Sequence, residues 1–188
     1  MTPLPLPHPA PGLVSPALRR LCLLVQVLIG VGAVVLTAVP VWMWSSAERV
    51  RSLVQNVPGA GGMLTVDERA MWLGAAVTLL PVGVGLFTLW QLWRLFGQYA
   101  DGSVFSRRAQ RHLRGFALGV LAAAAVAPIT RTLLVLVLSL GNPPGQRMLV
   151  IGVSWDDYMN LLLGAVLLAI ATVMAEAVRV AEEHAEFV

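Results

Sequence analysis

Four long stretches almost free of charge constrain this chain more than anything else in it. No charged residue stands between Arg20 and Glu48, between Arg69 and Arg94, or between Asp157 and Glu176. A further stretch, Gly115 to Leu140, is interrupted only by Arg131. An α-helix needs roughly 20 apolar residues to cross ~30 Å of hydrocarbon, and each stretch is long enough. Charged residues make up 12% of the chain, against about 25% in an average soluble domain. That deficit leaves too little polar surface to solvate a globule of this size. The fold class that follows is all-α, an integral membrane protein with four transmembrane helices.

Residues 1–16 hold six prolines and no charge, and read as a disordered leader. Arg19 and Arg20 then introduce an apolar run that reaches Ala47. Secretory h-regions are only roughly 7–15 residues long, so this run is expected to be retained as a signal-anchor. Residues 17–188 then make one transmembrane domain. All thirteen basic residues are arginine, and the Ala, Val, Leu and Gly bias matches the codon habit of a GC-rich bacterial genome. The expected location is therefore a bacterial inner (plasma) membrane. A net charge of +3 is too small and too divided for direct nucleic-acid binding. Cys22 is the single cysteine, which excludes an intrachain disulfide and a cysteine metal cluster.

The first helix is expected over 18–44, bent by Pro40 and anchored at the interface by Trp42 and Trp44. Residues 47–57 then place Val50, Leu53, Val54 and Val57 opposite Glu48, Arg49, Arg51 and Gln55. Such a segment either extends the first helix or lies flat on the membrane. Pro58 and Gly59-Ala60-Gly61-Gly62 end it. The second helix, 66–96, opens on a capping box of Thr65 and Glu68, with a kink expected at Pro81 beside Gly83 and Gly85. After a tight turn at Asp101-Gly102, Ser106 caps the third helix, 107–140, which Asn142-Pro143-Pro144-Gly145 closes. Ser154 and Asp157 form a second capping pair at the start of the fourth, 155–184. Eight arginines flank one set of helix ends and four the other, counting Arg147 among the four. The excess puts both termini and the middle loop in the cytoplasm. Gly115-x-x-x-Gly119, Ala122 to Ala125, Gly164, Ala165, Ala169 and Ala171 offer small faces for helix contact within one chain, and they serve a homodimer equally.

Arg131 is the sharpest candidate for function, because an arginine at mid-membrane costs at least ~2.5–3.5 kcal/mol and tends to mark a working site. Its depth argues for a structural role. Counted from Gly115 at ~1.5 Å per residue it lies roughly 24 Å in, near the outer interface. There it can snorkel outward or pair with Asp156 or Asp157; a substrate, ion or lipid contact is the alternative. Arg107, Arg108, Arg111 and Arg114 form a basic stripe beside His112. The topology signal alone accounts for such a stripe, and anionic headgroups would be drawn to it by about 1 kcal/mol per arginine. Its sharper reading is a dock for an acidic partner or a phosphate. Glu182, Glu183 and Glu186 of the tail carry the opposite sign on the same side, so a clasp of loop and tail would occupy both patches. There is no His-Glu-x-x-His, no Walker-type glycine loop and no pair of intramembrane carboxylates. No catalytic residue, cofactor or metal site is expected, since His112 and His184 alone lack the spacing of a zinc centre.

The stretch Trp90 to Gly119, WQLWRLFGQYADGSVFSRRAQRHLRGFALG, resembles a bacterial four-helix membrane family catalogued as domain of unknown function 2975. The matching pattern is a helix end, a Gly-x-x-Phe turn at Gly102 and Phe105, and a polar helix start at Ser106. That start leads through Leu113 to Gly115. The acidic ending, Glu176 to Val188, is similar too, although Val180 and His184 stand where leucine and asparagine are usual. The resemblance supplies no catalytic residue. It implies at most a membrane protein working with a small cytoplasmic helix-turn-helix regulator.

The expected function is a non-enzymatic accessory or regulatory component that engages a partner at the cytoplasmic face. A small transporter or channel subunit using Arg131 is the alternative. Membrane lipids and a second copy of the chain complete the expected partners.

Overall fold

The computed structural model describes residues 16–55, 67–103, 106–140, 142, 149 and 151–186. The leader, the 58–62 breaker, Thr65, Phe105, the 143–145 turn, Arg147 and the side chains of Glu182, His184 and Glu186 lie outside the described residues. Lipid offers no hydrogen bonds to a backbone, and a helix satisfies its own polar groups internally. Accordingly the described residues form five α-helices and no strand: α1 (Pro16–Trp44), α2 (Ala47–Gln55), α3 (Glu68–Ala100), α4 (Arg107–Ser139) and α5 (Trp155–Glu186). Four of them, α1, α3, α4 and α5, are long and apolar enough to cross a membrane. The all-helical class and the four spans agree with the sequence.

The long helices stand in a row in chain order. α1 packs on α3, α3 on α4, and α4 on α5. Successive helices run antiparallel, so the starts of α1 and α4 share one end of the row with the ends of α3 and α5. α3 and α4 each hold 33 residues. At ~1.5 Å per residue each is about 50 Å long, well beyond the ~30 Å of hydrocarbon, and their ends reach into the headgroup layers.

Close approach holds the row together, because lipid tails leave helices little hydrophobic reason to associate. A Cβ added to Gly119 would sit 2.3 Å from Thr88 Oγ1 on α3, and one at Gly115 would meet the Gln91 amide at 2.6 Å. The Gly115-x-x-x-Gly119 face is therefore filled by α3 of the same chain. On the other side, a Cβ at Gly164 of α5 would come within 3.0 Å of the Leu121 backbone nitrogen. Ala117, Ala124 and Ala171 are buried along these seams.

α2 is a separate helix, broken from α1 at Ser45-Ser46. Val50 is buried with Ala70 of α3 and Leu138 of α4, with Trp44 packed against them. The Arg49 guanidinium donates to the Trp42 carbonyl and to Ser45 Oγ (3.1 Å), and lies 4.4 Å over the Trp42 ring. A cation on the last carbonyls of α1 complements the negative end of its dipole.

α3 begins at Glu68 with Asp67 as N-cap, and the Asp67 side chain makes no capping bond. Glu68 thus occupies the first helical position and not the third, which a capping box requires. At the other end the helix runs past Phe96 to Ala100 and closes in a Schellman motif. Ser103 N donates to Gln98 O (3.0 Å) and Gly102 N to Tyr99 O (3.2 Å). Gly102 has φ 80°, a conformation that suits a residue without Cβ.

Candidate functional site

The turn after α3 sets the rotation of α4. Ser106 Oγ accepts from Ala109 N (3.1 Å) as the N-cap and donates to Gln98 Oε1 (3.1 Å) on α3. With its start fixed, α4 turns one stripe toward α5. Arg107, Gln110, Arg111 and Arg114 fall at i, i+3, i+4 and i+7, the spacing that shares one helix face. They line a cleft of about 390 Å³ against Ala171, Thr172, Ala175, Val178 and Arg179 of α5. Three of the four stripe arginines named from the sequence meet in this cleft. The fourth, Arg108, is exposed and lies off its lining.

His112 faces the other way. Its Nδ1 lies 2.7 Å from Gln91 Oε1 on α3, and its ring meets Trp90 edge-on at 6.2 Å. Arg94 lies 5.5 Å over the same Trp90 ring. These residues bind α3 to α4 and leave the cleft to the arginines.

The acidic tail is engaged in part by its own helix. Arg179 pairs with Glu176 and, at 3.8 Å, with Glu183. Arg111 and Arg114 form no ion pair among the described residues. Guanidinium groups present planar forks that match carboxylate or phosphate oxygens two at a time. The positive end of the α4 dipole adds to the same field. Chemically the cleft offers cationic groups that suit an anion, beside a largely apolar wall.

Gln110 was not singled out in the sequence, although its place three residues after Arg107 and four before Arg114 puts it on the stripe. It is only 6% exposed, and its Oε1 has no hydrogen-bond partner among the described residues. A buried acceptor left unmatched is costly.

Arg131 lies at the opposite end of the row. Its Nη1 is 3.2 Å from Asp157 Oδ2 and 3.3 Å from the Gly152 carbonyl, and its Nη2 is 3.3 Å from Asp157 Oδ1. The Asp157 side chain is 7% exposed and that of Arg131 48%. Asp157 Oδ2 also accepts from Ser154 N (2.7 Å), while Asp157 N donates to Ser154 Oγ (3.3 Å). The capping pair of α5 and the arginine of α4 are therefore one unit that joins two helices. Asp156 is exposed and stands outside it. No three His, Cys, Asp or Glu side chains converge on a metal-sized space among the described residues.

The family model described as "Protein of unknown function (DUF2975)" matches residues 60–188, a stretch that contains α3, α4 and α5 and so both charged sites. No curated protein and no solved structure matches the chain.

Proposed function

The chain belongs to the DUF2975 family of proteins of unknown function, and we propose that it is a non-enzymatic regulatory component of the bacterial inner membrane. It engages an anionic partner at the cytoplasmic face. One observation carries the reading: Arg107, Arg111 and Arg114 of α4 meet Arg179 of α5 around a single cleft. The excess of arginine at this end of the row supports its assignment to the cytoplasm, together with both termini and the α3–α4 turn. Arg131 is a weaker basis for transport, because its guanidinium is committed to Asp157 and to the Gly152 carbonyl.

Purification of the tagged full chain from its native membrane in mild detergent tests this, with mass spectrometry of every protein and lipid retained. An anionic partner should stay with the wild type and be lost from the triple variant Arg107→Gln, Arg111→Gln, Arg114→Gln. It should stay with Arg19→Gln/Arg20→Gln, which removes charge at the same end but outside the cleft. Equal recovery from the two variants would sink the reading.

A further inference from the structure

We infer that the cleft between α4 and α5 is a headgroup site for an anionic phospholipid such as phosphatidylglycerol. The inference rests on the cytoplasmic-face reading for its site and names the occupant.

The make-up of the cleft points to this chemistry. Its α4 side is charged, and its α5 side is largely apolar, with Thr172 and Arg179 besides. Arg107, Arg111 and Arg114 stand within about two turns of one helix, about 10 Å from end to end at ~1.5 Å per residue. Arg111 and Arg114 form no ion pair among the described residues. Facing them, Ala171, Ala175 and Val178 belong to the apolar span of α5 that ends at Val180. Guanidinium forks thus stand beside a wall that continues into the hydrocarbon. A lipid matches both sides, with its phosphate on the arginines and its chains along α5. A soluble phosphate ester matches only the first.

The arginines also choose among lipids. A phosphatidylcholine headgroup brings a quaternary ammonium toward them beside its phosphate and carries no net negative charge, whereas phosphatidylglycerol keeps its full charge.

Native mass spectrometry of the delipidated full chain in mild detergent provides the test. The probes are dioleoyl phosphatidylglycerol, dioleoyl phosphatidylmethanol, dioleoyl phosphatidylcholine and glycerol 3-phosphate. Phosphatidylglycerol should bind well ahead of phosphatidylcholine, and Arg111→Gln/Arg114→Gln should weaken it at least about tenfold. Arg19→Gln/Arg20→Gln should leave it unchanged. Phosphatidylmethanol, an anionic phosphodiester of the same charge, should bind nearly as tightly as phosphatidylglycerol, and Arg111→Gln/Arg114→Gln should weaken both alike.

Equal binding of phosphatidylcholine would overturn the inference, and so would displacement of the lipid by equimolar glycerol 3-phosphate. Should the purification recover an acidic protein through the same arginines while no lipid selectivity appears, the cytoplasmic-face reading survives and the lipid assignment falls. Should neither depend on the arginines, both fall.

Discussion

Arg131 and Asp157 illustrate how a single charge is tolerated near the membrane's edge. Asp157 is nearly enclosed, whereas Arg131 keeps about half of its side chain exposed. The pair lies where the α4–α5 connection enters α5, so its loss is expected to loosen that junction. Arg131→Gln leaves an enclosed carboxylate without its counter-charge, and Asp157→Asn leaves an arginine without its anchor. Each single substitution is expected to lower membrane abundance several-fold, measured by quantitative immunoblot of the membrane fraction. The double variant should recover much of the loss, because no charge is then left alone. Failure of the double variant to exceed either single one would show that the coupling is not between these two residues. At this scale the sequence named Arg131 and both aspartates, but a linear count of depth cannot choose between adjacent carboxylates. The choice is made by the Ser154–Asp157 cap, which turns Asp157 inward and leaves Asp156 exposed.

Between elements, glycines separate positions that must stay small from positions that need not. A Cβ at Gly164 meets backbone of α4, which cannot move aside, while one at Gly83 meets nothing within 4 Å. Gly164→Ala should therefore destabilise the α4–α5 seam by about 1–3 kcal/mol. Gly83→Ala should be neutral or stabilising by up to ~1 kcal/mol, since alanine is the better helix former. Thermal unfolding in detergent, followed by circular dichroism, distinguishes them. The amphipathic α2 gives a further contrast. Val50 is 2% exposed against Ala70 and Leu138, so Val50→Asp should cost about 2 kcal/mol or more, whereas the exposed Arg51→Gln should cost little. Much of this level was legible from spacing. Charge-free runs marked the spans, Ser106 marked a start and Asp101-Gly102 an end. What spacing could not give was partnership. Gly115 and Gly119 read equally as a seam within the chain or between copies until Gln91 and Thr88 were found against them. The arginine stripe likewise gave no sign that α5 supplies its opposite wall, because residues 107 and 179 lie far apart in the chain.

For the molecule as a whole, the antiparallel row puts Ile151 and Ser103 at opposite ends, and the proposed cytoplasmic cleft predicts which end faces out. In a Cys22→Ala background, Ile151→Cys should react with a membrane-impermeant maleimide added to intact cells. Ser103→Cys should react only after the cells are opened. The reverse pattern would invert the orientation and remove the cytoplasmic cleft with it. The order of the row has another consequence, for how the protein comes to exist. Every long helix leans on the one made just before it, so no segment has to wait in the bilayer for a distant partner. Assembly can keep pace with synthesis, each new span docking as it leaves the ribosome. A chain halted after Ser139 should already hold α1, α3 and α4 in their final arrangement, with α5 as the last piece added. The arginine cleft is then finished only when that last helix arrives.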